Sequence, residues 1–167
     1  GALVVGGLDF DGVDDEFNTS LIPPSTATLI GVATWDVEAA TQMIVGARDS
    51  ANERSYLAQA SGGNITLGVG AGAVGTQAVT ASTEYLAFAK YNSGDNDVFV
   101  NTLASGSSAS ASPTNTTYGY NIGSFNDAGT ASSFMNGRIR EVIIYNTDQS
   151  ANRVGIETNI NAAYSIS

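Results

Sequence analysis

Asp9 and Asp11 stand two positions apart. In an extended strand that spacing puts both carboxylates on one face, opposite Leu8 and Phe10. Close carboxylates supply the hard oxygen ligands that calcium prefers. The spacing of a helix-loop-helix calcium site, with its distal Glu, is not met, so strand-edge and turn acids paired with Arg138 or Arg140 are the favoured reading. Three later loops are also rich in oxygen donors: Asp49, Asn52 and Glu53; Asp95, Asn96 and Asp97; Asn126 and Asp127. A Ca2+ ion would draw on Asp49, Asn52 and Asp127. Asp and Asn also populate turns because they tolerate left-handed backbone and bond locally, and for each residue taken singly that reading is favoured.

The missing residue types bound the chemistry further. Histidine and cysteine are both absent, which removes the usual general base, the commonest transition-metal ligand and any thiolate or disulfide. Serines abound but have no histidine to activate them, and nothing supports a Ser-Lys pair through Lys90. Gly70-Ala71-Gly72-Ala73-Val74-Gly75 matches the dinucleotide-binding fingerprint literally. No amphipathic helix follows it and no acid stands at the required distance, so it is a glycine-permitted turn between strands. The acceptor-like sequons at Asn18, Asn64 and Asn115 are what so many Asn, Ser and Thr residues produce by chance.

The elements that position these groups follow from composition and pattern. The chain has 167 residues, of which 43% are hydrophobic and 13% charged. It is therefore no disordered segment, and one domain, residues 1–167, is expected, large enough to bury an ample core. It opens at Gly1 rather than Met, as a mature form or fragment would. The net charge is −10, and the six cationic residues (Arg48, Arg54, Lys90, Arg138, Arg140 and Arg153) are dispersed along the chain. Phosphate recognition needs a clustered basic footprint, so nucleic acid is not an expected partner. No apolar run approaches a membrane span, and membrane insertion is not expected.

Short β-branched and aromatic runs alternate with Gly, Asn, Ser and Asp clusters, a pattern that suits a sandwich better than strand-helix alternation. Strands are expected at 3–10, 28–35, 42–48, 55–59, 65–69, 77–80, 85–91, 98–103, 118–123 and 138–145. The runs at 85–91 and 138–145 are almost continuously apolar, as strands buried on both faces are. In the second, Ile139 and Ile143 would share one face and Val142 and Ile144 the other. Residues 92–96 read as a hairpin turn, 61–64 as another connection, and 104–112 as an exposed loop or loosely held edge. One helix is expected at 151–164, with Ser150 as N-cap and Val154, Ile156, Ile160 and Ala163 as a partial apolar stripe.

The opening run, with Asp9, Phe10, Asp11, Gly12, Asp14 and Asp15, and the closing run, with Gly137, Ile139, Glu141, Val142, Tyr145 and Asn146, together resemble the first and last strands of a laminin-G-like jelly roll. That family belongs to the concanavalin A-like lectin/glucanase superfamily. Ile122-Gly123 resembles the strand before the close, while Gln149-Ser150 departs from the Leu-Ser that usually starts the trailing helix. The resemblance implies an all-β, two-sheet antiparallel jelly-roll sandwich with one short C-terminal helix. It also implies a glycan-binding or adhesive module, extracellular or on a virion surface such as a phage tail or capsid appendage. Its partner would be a glycan or another virion or surface protein, and the alternative role is virion decoration through protein contacts.

A sugar platform needs an exposed ring beside polar groups, which points to Tyr56, Tyr118 and Tyr120, with Asn126 and Asp127 as hydroxyl partners; Trp35 reads as core or rim packing. In related lectin-like folds a rim calcium bridges protein and sugar. The related glucanases carry Glu-x-Asp-x-Glu or Glu-x-Asp-x-x-Glu on one strand. Neither occurs here, and Glu141 stands alone, so glycoside hydrolysis is the disfavoured rival and no catalytic residue is expected.

Overall fold

The apolar runs become strands whose two faces meet different neighbours. The computed structural model describes residues 6–38, 40–114 and 116–166. Strands are numbered in chain order. One sheet of six has the order β1 (Leu8–Asp11), β14 (Asn136–Tyr145), β3 (Thr26–Trp35), β8 (Glu84–Asn92), β9 (Asp95–Val100) and β10 (Leu103–Ser108). The other follows β13 (Thr130–Ser132), β12 (Phe125–Asp127), β4 (Gln42–Ser50), β5 (Glu53–Gln59), β6 (Ile65–Val69) and β7 (Gly72–Val74). Two short strands, β11 (Asn121–Ile122) and β2 (Phe17–Asn18), attach beside β4. All pairings are antiparallel except the short parallel contact of β12 with β4.

Leu29, Trp35, Ile44, Leu57, Leu67, Ala87 and Tyr91 interlock between the sheets as the main core. Trp35 is fully buried there. The opposite face of the six-stranded sheet carries a second apolar row, Ile30, Val32, Leu86 and Phe88, with Ile143 and Tyr145 beside it. Helix α1 (Arg153–Tyr164) lays Ile156, Ile160 and Tyr164 over that row. Each aliphatic side chain so covered contributes roughly 1.5–3 kcal/mol. Burial on both faces accounts for the continuous apolar run of β8, whereas β14, expected to be buried in the same way, is only half-buried along most of its length.

Turn chemistry sets several boundaries. Ser93 and Gly94 both have positive φ, 46° and 94°, and form the two-residue link between β8 and β9. Such a turn matches the twist of the flanking strands. Lys90 is buried beside it, held by Asp95 at 2.6 Å and Asp97 at 3.0 Å. Burial works against its charge, but the two carboxylates outweigh it and leave its pKa raised. The glycine-rich run at Gly70–Gly75 is a β6–β7 hairpin, as expected of a turn.

The structure corrects several sequence expectations. The first strand is Leu8–Asp11, with Gly6 and Gly7 outside it, and residues 3–5 of the expected strand lie outside the described residues. Residues 98–103 are split by a turn in which Asn101 and Thr102 adopt φ of 47° and 71°, so Leu103 starts the edge strand β10. Residues 77–80 contribute one isolated bridge, Asn64 to Ala78, and residues 118–123 keep only the two-residue β11. The register of β14 slips between Ile139 and Glu141. That bulge puts Ile139 with Val142 and Ile144 toward the main core, while Ile143 faces the helix. The helix begins with a 3-10 turn at Ser150–Asn152, and Ser150 is not the N-cap; its N–H donates to Asp148 Oδ1 at 2.8 Å. Val154 is 68% exposed and Ala163 is also exposed, so the buried stripe is narrower than the pattern suggested.

Candidate functional site

Alternation along the strands divides the outer face of the six-stranded sheet into two halves. Its apolar half lies under α1. Beyond the helix the same face turns polar: Thr34 follows Val32 on β3, Glu84 precedes Leu86 on β8, and the two stand opposite each other. Arg138 faces Thr34 from β14, and Asp9 faces Arg138 from β1. These residues, with Asp36, Ser82 and Arg140, line an open basin of about 250 Å³.

Two ion pairs frame the basin. Arg138 donates from Nε to Asp9 Oδ1 at 2.7 Å and from Nη2 to Oδ2 at 3.1 Å. The hydrogen bond from Arg138 holds the Asp9 carboxyl below its ordinary value, and Asp9 in turn raises the Arg138 guanidinium. Arg140 brings Nε within 2.8 Å of Glu84 Oε1 and lies over the Tyr164 ring at 5.7 Å from its centroid. Strand alternation turns both Arg138 and Arg140 outward around the inward-facing Ile139.

Backbone bonds fix the remaining walls: Asp36 N–H donates to Asn136 O at 3.0 Å, and Ser82 N–H to Trp35 O at 2.7 Å. Gly137 lets β14 run close to β3, because a Cβ there would stand 2.2 Å from Thr34 O, and its φ of 142° is one that side chains rarely adopt. The basin thus presents guanidinium donors, carboxylate acceptors and the Thr34 and Ser82 hydroxyls, groups suited to the hydroxyls of a polar ligand.

The sequence-expected site residues are distributed elsewhere. Tyr120 is 0% exposed and cannot serve as a surface platform. Its hydroxyl meets Ser55 Oγ at 2.7 Å and Tyr91 Oη at 3.2 Å inside the core. Tyr118, two residues earlier, is 38% exposed, with its ring edge over Gly129. Tyr56 is half-buried on the outer face of the second sheet, across Gly68 and edge-on to Phe125 at 5.4 Å. Asn126 is spent on a turn, donating to Gly119 O at 2.8 Å and accepting from Gly129 N–H at 2.9 Å. Asp127 closes a two-pronged pair with Arg48.

The expected metal set is similarly committed. Asp49 accepts from the backbone N–H of Thr117 at 2.6 Å and of Tyr118 at 3.3 Å, while Asn52 is exposed. The carboxylates that do converge are those of Asp11, Asp14 and Asp15, with oxygens within 4.8 Å of one another. All three are exposed, and internal bonds from Asp11 N–H to Asp15 and from Val13 N–H to Asp11 shape their loop.

No family model and no curated protein matches the sequence significantly. Solved structures match the arrangement of strands. The CBM40 module of the Ruminococcus gnavus IT-sialidase, bound to α2,6 sialyllactose, superposes with a TM-score of 0.68 at 13% identity, over 92% of this chain and 96% of its own. Domains LG4-5 of the mouse laminin α1 chain give 0.64 at 11% identity, over 84% and 42%. The chain has the concanavalin A-like jelly-roll fold. The sequence resemblance to laminin-G-like domains lies in β1 and β14, the paired strands that bring Asp9, Arg138 and Arg140 to the basin. The jelly roll also matches NanB sialidase from Streptococcus pneumoniae with a TM-score of 0.68 at 15% identity, spanning 90% of this chain but only 27% of the NanB chain.

Among the described residues of the jelly roll, no helix is long and apolar enough to cross a membrane. Sequence reasoning placed Asp9 beside Arg138 or Arg140 but as a structural pair only, and it missed Thr34, Asp36, Ser82 and Glu84. The available signal was the change from Val32 to Thr34 on β3 and from Leu86 back to Glu84 on β8, where each strand turns polar at one end.

Proposed function

We propose that this jelly roll is a non-catalytic glycan-binding module, exposed outside the cell or on a virion surface, and that the basin at Asp9, Thr34, Asp36, Ser82, Glu84, Arg138 and Arg140 is its recognition site. One observation carries the reading: the half of the sheet face that α1 leaves open is concave and lined by donors and acceptors on rigid strands. Strand-borne polar groups are pre-organised, which lowers the ordering cost of binding. The carbohydrate-binding module among its structural neighbours supports the same reading. A non-catalytic role fits the Asp9 carboxyl, whose ionisation is displaced by its bond with Arg138. Asp9 is moved down, whereas a general acid at neutral pH must be moved up.

The charge balance favours neutral saccharides. Three basin carboxylates face two guanidiniums, on a chain of net charge −10. A glycan array run with calcium and with a chelator tests the reading, using the wild type and Thr34→Val/Asp36→Asn, a pair that leaves both ion pairs in place. Binding by the wild type, weakened about tenfold or more in the variant as the loss of one or two bonds predicts, supports the basin. Binding unaffected there but lost in Tyr118→Ala moves the site to the β4–β5 rim. Calcium dependence would assign the Asp11, Asp14 and Asp15 loop or the Asp49 loop a cation.

A second reading, decoration of a larger assembly through protein contacts, rests on Leu8 and Phe17. They are 56% and 50% exposed and line one apolar groove with Ile139 and Val142. Contiguous exposed apolar surface marks a partner site. A blank array from folded protein, together with self-association that Phe17→Ser abolishes, would favour this reading.

A further inference from the structure

The basin has a neighbour. Between β14 and α1 runs a groove of about 310 Å³, within the range of small-ligand sites. Its lining includes the apolar side chains of Ile143 and Ile156, the tyrosines Tyr145 and Tyr164, and the polar Glu141 and Asn159. Glu141 follows Arg140 in sequence, and the Arg140 guanidinium lies against the Tyr164 ring. The stacked pair Arg140–Tyr164 therefore stands between the two cavities: Arg140 belongs to the basin and Tyr164 to the groove. The β14 bulge creates the continuity, because it turns Arg140 and Glu141 outward together, one toward each cavity.

We infer that the groove is a second saccharide subsite, so that the ligand is at least a disaccharide lying across Arg140 and Tyr164. This rests on the glycan-binding reading of the basin. The chemistry of the two cavities is complementary. The basin is polar throughout and recognises hydroxyls. The groove pairs tyrosine rings, whose faces cover the apolar C–H patch of a pyranose, with one carboxylate and one amide that bond its hydroxyls. Tyrosine combines apolar contact area with a polar tip and stays well ordered, which suits a ring platform at the edge of a cleft. Arg140 is placed to bond the glycosidic oxygen or a flanking hydroxyl from between the two units, a role for which its planar fork of donors is fitted.

The test compares monosaccharide with matched disaccharide by calorimetry: galactose against lactose, and glucose against maltose and cellobiose. The wild type should bind at least one disaccharide about tenfold or more tighter than its monosaccharide. Tyr145→Ala and, separately, Asn159→Ala should erase that advantage. Asn159 lies on the exposed helix surface, so its variant keeps the test usable if Tyr145→Ala fails to fold. Val154→Ala, on the solvent side of the same helix, is the unchanged control. Equal affinity for monosaccharide and disaccharide, or an advantage that survives in both groove variants, overturns the second subsite while leaving the basin in place. If none of these sugars and none on the array binds, the glycan reading falls and the subsite falls with it.

Discussion

Asp9 and Arg138, 129 positions apart in sequence, face each other directly across the β1–β14 ladder and close a two-pronged ion pair on the outer face of the sheet. The pair joins the opening and closing segments of the chain at the lip of the basin. It ties the ends of the fold to the surface that we read as its recognition site.

Arg138→Leu should release the Asp9 carboxyl back toward its ordinary value of 3.8, read by NMR titration of the side-chain carboxyl carbon. The sign follows from linkage. A carboxylate held low in the fold contributes its stabilisation above the unfolded value and loses it as pH falls through the lower, folded one. Acidification below the ordinary carboxylate range should therefore loosen the pair, and saccharide affinity should fall over the same interval. An Asp9 titration unchanged in Arg138→Leu would dissociate the two residues.

The helix offers a contrast between two residues that share one sequence pattern. Ile160 is buried against the outer apolar row, and Val154 points to solvent. Ile160→Ala should cost about 2–4 kcal/mol in urea unfolding, as truncation of a buried aliphatic chain does. Val154→Ala should stay within about 0.5 kcal/mol, as surface substitutions do. Equal costs would mean that the helix does not seat as described.

Tyr120→Phe removes a buried hydroxyl that hydrogen-bonds both Ser55 and Tyr91, and should cost about 1–3 kcal/mol without weakening saccharide binding. Burial pushes the Tyr120 phenol well above its ordinary value and raises that of Tyr91. Protons on these phenols are therefore held by the fold, so the stabilisation is complete below about pH 10 and declines as pH rises toward the folded values. In an ultraviolet titration the Tyr120 phenol should resist ionisation until the fold opens. Loss of saccharide binding in folded Tyr120→Phe would contradict its assignment to the core.

Neutral glycans should outperform their sialylated counterparts on an array, given the excess of carboxylates in the basin. Raising the ionic strength should narrow the gap, because screening weakens the repulsion of an acidic sugar. A sialylated preference would mean that Arg138 and Arg140 release their own carboxylates to a ligand.

How much of this was legible in the sequence depended on the range of the deciding contact. The β6 run, Ile65–Val69, was bounded correctly by its glycines and asparagine. The Ser93-Gly94 turn and the β14 motif were equally local signals. The face assignment within β14 failed because one extra residue at the bulge reverses every side chain beyond it, and no local residue type announces a bulge at Arg140. Tyr118 and Tyr120 have similar neighbours in sequence, yet one lies at the surface and the other beside Ser55 and Tyr91 in the core. The basin was illegible for the same reason: its residues come from four separate segments that only the pairing of β1, β14, β3 and β8 assembles.

The most direct test is chemical-shift mapping of the isotopically labelled chain titrated with the strongest-binding saccharide from the array. Saturable shifts should concentrate on the amides of Asp9, Thr34, Asp36, Ser82, Glu84 and Arg138, extending to Glu141 and Asn159 for an oligosaccharide. Saturable shifts centred instead on Asp49, Thr117 and Tyr118, with the basin silent, would contradict the assignment of the recognition site.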